Sequence, residues 1–200
     1  MDCAVLTADI INSRKVSPDT WLSPLKTTLR QYGQTPIAWE IFRGDSFQLE
    51  VEPEKALLAA IHLKATIKQF QSLDLRIGIG LGEKSYRADQ ITESNGSAFQ
   101  RSGACFDQLK KRTLGIKTGN KEIDEALNLI FSLACLTMDS WAVKTSLTVK
   151  TVIENPNKTQ TELEQILHTK QSGISASLKR SGYEELTSMN LHYQKLISQL

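Results

Sequence analysis

The stretch Ile37-Ala38-Trp39-Glu40-Ile41-Phe42-Arg43-Gly44-Asp45-Ser46-Phe47-Gln48-Leu49-Glu50-Val51 reads as two β-strands around a Gly-Asp turn. Its second half alternates Phe47, Leu49 and Val51 with Ser46, Gln48 and Glu50, so one face is apolar and the other wet.

On its N-terminal side, the apolar run Cys3-Ala4-Val5-Leu6-Thr7-Ala8 ends at Asp9 and predicts a strand buried on both faces. Ser17-Pro18-Asp19 supplies an N-cap with proline at the first helical position. Trp21, Leu22, Leu25, Leu29 and Tyr32 follow at helical spacing, and Gly33 stops the helix. On the C-terminal side, Pro53-Glu54 opens a helix with Leu57, Ile61, Leu63, Ile67 and Phe70 inward. Leu73 to Leu81 then returns as a strand whose Gly78 and Gly80 imply close approach of another backbone or a ligand. These two glycines form no GxGxxG motif, which excludes a Rossmann reading.

After a polar loop from Glu83 to Asn95, a helix over Ser97–Arg112 and a short strand over Leu114–Lys117 are expected. The order β-α-β-β-α-β, followed by a further helix and strand, predicts an α+β fold with a ferredoxin-like sheet and helices on one face. From Lys121 the chain reads as helical to its end, broken at Asn155-Pro156-Asn157. The expected division is an α/β domain over 1–138 and an all-α module over 139–200.

Composition narrows the function classes. With 40% hydrophobic and 23% charged residues the chain is an ordinary globular protein, not a disordered one. Its formal net charge of +2 argues against indiscriminate coating of nucleic acid, so any such contact must come from a local patch. Cys3, Cys105 and Cys135 form no CxxC pair, and His62, His168 and His192 lie near none of them at zinc-ligand spacing. No secretory signal opens the chain, and the most apolar stretch, Ala126 to Met138, is shorter than the roughly 20 residues a bilayer span needs. A cytoplasmic protein without a membrane partner is expected. The apolar helix containing Leu129, Ile130, Phe131, Leu133 and Leu136 reads as core or as a dimer face.

Two constellations carry chemistry. In the first, Asp9 ends the first strand and Asp45 sits in the hairpin, on strands that neighbour each other in this topology. Their carboxylates could converge on a divalent cation, which prefers hard oxygen ligands. Asn12, Ser13 and the following helix N-terminus would offer donors to a phosphate, with Arg14 as a charged partner. An ordinary turn with a capping aspartate is the simpler alternative.

The runs Ala8-Asp9-Ile10-Ile11-Asn12-Ser13, Arg43-Gly44-Asp45-Ser46-Phe47 and Arg76-Ile77-Gly78-Ile79-Gly80 resemble the signature strands of the class III nucleotide cyclase and GGDEF superfamily. With Asn95-Gly96-Ser97-Ala98-Phe99 added, the chain is similar to the SatD-like bacterial proteins, which join such a domain to a C-terminal DNA-binding helix-turn-helix. The resemblance implies metal-binding roles for Asp9, the Ile10 carbonyl and Asp45, with magnesium and a purine nucleotide as ligands. It places the phosphate-stabilising arginine on Arg101. It also shows departures, because Ile41 stands where adenylyl cyclases carry a base-selecting lysine and Ser97 stands at the asparagine of the transition-state pair. Such charge stabilisation is commonly worth several kcal/mol, so the resemblance implies a cyclase-like binding domain in preference to a working cyclase.

The second constellation is C-terminal. Thr159 and Glu162 have capping-box spacing, and Leu163, Ile166 and Leu167 make a short amphipathic helix. His168-Thr169-Lys170 is turn-length, and Gln171 to Arg180 forms a second helix with Ile174 and Leu178 inward. This is the layout of a helix-turn-helix. Lys170, Gln171, Ser172 and Ser175 would face the groove of double-stranded DNA, with Lys179 and Arg180 toward phosphates. Glu164 and His168 replace the small residue and the glycine usual in the motif; histidine tolerates left-handed backbone better than most. The expected function is a DNA-binding transcriptional regulator, dimeric because palindromic operators are read by paired motifs. A magnesium-dependent phosphodiester enzyme and a protein-docking adaptor are the alternatives.

Overall fold

The structure, a computed structural model, describes residues 2–200. Five strands, β1 (Cys3–Ile11), β2 (Trp39–Phe42), β3 (Ser46–Val51), β4 (Asp74–Gly82) and β5 (Leu114–Lys117), form one sheet in the order β2-β3-β1-β4-β5. All neighbours are antiparallel except β4 and β5. The helices are α1 (Pro18–Arg30), α2 (Ala56–Ile67), α3 (Ser97–Gln108), α4 (Lys121–Met138), α5 (Val143–Glu154), α6 (Gln160–Leu167), α7 (Gln171–Ser181) and α8 (Tyr183–Ile197). The class is α+β. No helix among the described residues is long and apolar enough to cross a membrane.

The central place of β1 follows from its composition. Ala4, Val5, Leu6 and Ala8 are fully buried, because the strand is paired on both edges and covered on both faces. Phe47, Leu49 and Val51 of β3 point into the same layer as Ala4, Leu6 and Ala8, as the alternation predicted. The first hairpin strand is shorter than expected, and Ile37 stays exposed.

Helices on one face are found for α1 and α2, whereas α3 lies on the other. The glycines of β4 are the reason. A Cβ on Gly80 would stand 2.2 Å from Ala98 O and Ser102 N of α3, and one on Gly78 would stand 2.5 Å from Phe106 N. Without side chains there, helix backbone rests directly on strand backbone, and the Thr7 and Ser102 hydroxyls pair at 3.0 Å across the contact.

A second correction concerns α2. Its periodicity predicted one inward face, yet every residue except Leu58 is buried. The far side is covered by α5 and α8. Tyr193 of α8 donates its hydroxyl to the Pro53 carbonyl at 2.6 Å, and burial pushes that phenol strongly up. His62, buried within α2, meets the Tyr32 hydroxyl at 2.9 Å and Glu154 of α5 at 3.2 Å. One apolar core therefore runs from the sheet through Leu57 and Leu63 to Val149, Leu186 and Ile197. Residues 139–200 are built onto 1–138 with a shared core.

Candidate functional site

The sheet register brings the first constellation together. Asp9 of β1 lies opposite Ser46 on one side and Arg76 on the other. Ser46 Oγ donates to Asp9 Oδ1 at 3.1 Å, and Arg76 Nη2 donates to Oδ2 at 2.9 Å. The Asp45 carbonyl accepts the Ile10 N–H at 3.1 Å, and Ser13 Oγ donates to Asp45 Oδ2 at 2.5 Å. Asp9, Ile10, Asn12, Ser13, Arg14 and Asp45 thus border one open cleft of about 520 Å³.

Three details differ from expectation. Asn12 adopts left-handed backbone and ties its amide to the Ser72 carbonyl at 2.9 Å, so its side chain fastens the loop. The loop expected after it winds into a three-residue 3-10 turn over Ser13–Lys15, and α1 begins at Pro18, where the proline placed it. The Ser17 hydroxyl makes no capping bond to that helix; the proline after it sets the start.

Arg101 and Ser97 are not at this cleft. Arg101 Nη1 donates to the Leu81 carbonyl at 2.7 Å, and Ser97 Oγ accepts the Glu83 N–H at 2.9 Å. Leu81 lies five residues along β4 from Arg76, about 17 Å at strand rise. Ile41 lies opposite Phe47 in the hairpin, two positions from Asp45. What borders the cleft instead is Lys15, Arg76, Lys110, Lys111 and Thr113. Arg76 also stacks on the Phe106 ring, 5.2 Å from its centroid. In the sequence it heads the run Arg76-Ile77-Gly78-Ile79-Gly80 with nothing to name its partner, and the dibasic Lys110-Lys111 gave no hint of where the chain turns after α3.

Five cations, Arg14, Lys15, Arg76, Lys110 and Lys111, thus face two carboxylates. Such a cleft attracts anions. The described residues hold no group of three or more metal-ligating side chains, and both carboxylates already accept hydrogen bonds. They do not make a protein-only cation site, since magnesium seeks six oxygens; at most they would share an ion with a ligand's phosphates.

The second constellation folds as α6, a three-residue turn and α7. Thr159 and Glu162 complete the capping box in both directions, and His168 adopts left-handed geometry with φ 47°. Ile174, Ser177 and Ser181 are the buried face of α7 against α5, where Thr145, Ser146 and Thr148 are equally small. Trp141 Nε1 donates to the Ser181 carbonyl at 3.1 Å and locks the far end. Lys170, Gln171, Ser172 and Ser175 are exposed on one end of α7. Glu164 accepts the Gln171 backbone N–H, which explains an acid where a small residue was expected. The Gln171 amide donates to Gln160 at 2.7 Å. Lys179 and Arg180 stand about 13 Å farther along the helix, beside α4 and α8.

The three free cysteines are buried, and burial pushes the Cys3 and Cys105 thiols up to about 11, so none is a ready nucleophile. No protein-family model matches the chain, and no curated protein matches it either.

Proposed function

We propose that this protein is a ligand-responsive DNA-binding regulator of the SatD-like kind. Its ferredoxin-like, cyclase-like sheet takes a phosphorylated anion, and its α6–α7 helix-turn-helix contacts double-stranded DNA. The observation that carries the reading is the α6–α7 pair itself: capped, turned through a left-handed histidine, and backed by α5, with Lys170, Gln171, Ser172 and Ser175 unobstructed. The cation-rich cleft supports the sensory half, with a purine nucleotide and its magnesium as the ligand class. Because α2 and α5 pack together, the cleft domain and the DNA-facing helices share one framework.

Selection from random duplexes with the full-length protein, followed by titration at two salt concentrations, tests the DNA half. Affinity is expected to fall with salt at a slope of roughly −0.9 per phosphate neutralised. Gln171→Ala should cost about 1–3 kcal/mol on the preferred site alone, as a base-edge contact does. Absence of any enriched sequence would leave α6–α7 as a protein-docking element. Thermal shift with magnesium and purine nucleotides tests the cleft, and Asp45→Asn should remove any shift.

A second reading, magnesium-dependent phosphodiester chemistry, draws on Asp9 and Asp45 lining the same cleft. The engagement of Asp9 by Arg76 weighs against it, because a cation must first displace that guanidinium. Nucleotide turnover lost in Asp45→Asn would favour it.

A further inference from the structure

Helix α4 covers the β5 edge of the sheet. Asn128 bridges the strand there, its Oδ1 accepting the Ile116 N–H at 3.0 Å and its Nδ2 donating to the Ile116 carbonyl at 2.8 Å. Leu127, Phe131, Cys135 and Met138 form its buried stripe. The opposite stripe is also apolar: Leu129, Leu133 and Leu136 are 64%, 59% and 75% exposed, and Ala126 is exposed one turn earlier. Ala126, Leu129, Leu133 and Leu136 follow the 3-4-3 spacing of a helix-pairing seam. Contiguous apolar surface of this kind on a folded protein marks a site of association.

The two ends of the seam differ in charge. Glu122 and Glu125 flank its N-terminal end, and Glu125 has only a loose partner in Lys121 at 3.8 Å. At the C-terminal end, Lys179 and Arg180 line a groove of about 460 Å³ beside Leu133 and Thr137, with Glu185 as the one acid there. Among the described residues neither cation has an acidic partner, and Arg180 donates to the Ser177 hydroxyl.

We infer that a second copy of this chain covers the seam, with the two α4 helices antiparallel about a twofold axis. In this register Leu129 of one copy meets Leu133 of the other, and small Ala126 meets the large, exposed Leu136. Glu125 then lies opposite Thr137 of the other copy, next to its Lys179 and Arg180. A twofold interface requires each patch to be its own complement, and a seam that is acidic at one end and basic at the other meets that condition only when antiparallel. A parallel pairing sets like charges together at both ends. The inference does not depend on α7 meeting DNA, but it gives Lys179 and Arg180 to the dimer and leaves the DNA contact to Lys170, Gln171, Ser172 and Ser175.

Sedimentation of the full-length protein across a concentration series tests this. The wild type is expected to dimerise. Leu133→Glu with Leu136→Glu should raise the dissociation constant at least about a hundredfold, as loss of central anchors does. The helical content measured by circular dichroism should hold, because both side chains are already exposed in the single copy. Glu122→Lys with Glu125→Lys should weaken the dimer about tenfold, and adding Lys179→Glu with Arg180→Glu to the same chain should restore it. Within one copy these ends are about 22 Å apart along α4, too far for the swap to act internally. Should the glutamate variant misfold, Ala126→Cys with Leu136→Cys decides the matter by oxidative cross-linking. Ten residues apart on one helix, about 15 Å, the two thiols can bond only between copies. A wild type that stays monomeric, whether or not it adheres to lipid vesicles or another protein, overturns the inference. So does a dimer that ignores the leucine substitutions. Failure of both charge rescue and cross-linking overturns the antiparallel register.

Discussion

The two faces of the central sheet are packed by different means. Toward α1 and α2 the strands present Leu6, Ile10, Leu49, Ile77 and Ile79, and the layer is filled by side chains. Toward α3 the middle of β4 presents glycines, and the layer is filled by backbone. Side-chain layers can repack around a lost methyl group, whereas a backbone layer has nothing to move aside. The fold therefore tolerates change on the α1–α2 face and resists it on the α3 face.

The largest loss is expected for Gly80→Ala. Its Cβ would meet three backbone atoms of α3 within 2.8 Å, so the expected cost is about 3 kcal/mol or more, the upper end for overpacking. Ile79→Val, one residue away on the other face, should cost only about 1 kcal/mol. Urea unfolding of both variants checks the pair; equal losses would refute the contrast.

Next in size is Lys64, which lies nearly inaccessible on the α2 side. It contacts Asp74 at 2.6 Å and Asp139 at 2.7 Å, while Lys68 also reaches Asp74 at 3.2 Å. Lys64→Met leaves those carboxylates partly uncompensated, and about 2 kcal/mol is expected. This is below the usual loss for a broken buried pair, because Lys68 remains and Asp139 is partly exposed. Restoration by Asp139→Asn in the same background would place the loss in the charges rather than in packing.

The smallest effect is pH-dependent and lies on the outer side of α2. Burial pushes the Glu154 carboxyl up, but hydrogen bonds from His62, Lys150 and Gln31 outweigh it and hold the group at about 2, below its ordinary 4.5. Since the folded value is the depressed one, the stabilisation is complete above about pH 4.5 and is lost as pH falls toward 2. Glu154→Gln should flatten that acid limb by about 1–2 kcal/mol, after allowance for solvent screening of a partly exposed group. Denaturant midpoints at stepped acidic pH check it.

Much of the local structure was legible beforehand. The spans of β3 and β5, the proline start of α1, the Thr159 capping box and the left-handed His168 each depend on a few neighbouring residues, and each is found as read. The glycines of β4 announced a close approach, although only the fold shows that α3 makes it. The candidate cleft was half legible. Strand order put Asp9 and the Asp45 turn on neighbouring strands, and both residues line the cleft, but Arg76, Lys110 and Lys111 entered through long-range register, and Arg101 bonds elsewhere for the same reason.

Short-range chemistry in the sequence was enough for element type, the Thr159 cap, the turns, the α+β class and the apolar character of α4. Only long-range packing decided which cation answers Asp9, that α2 is buried everywhere except at Leu58, which residues of α4 stay exposed, and that Lys179 and Arg180 stand beside α4. Those outcomes depend on residues dozens of positions apart meeting across the sheet or between helices. Periodicity records that a face is apolar or charged, but it carries no record of what will cover that face.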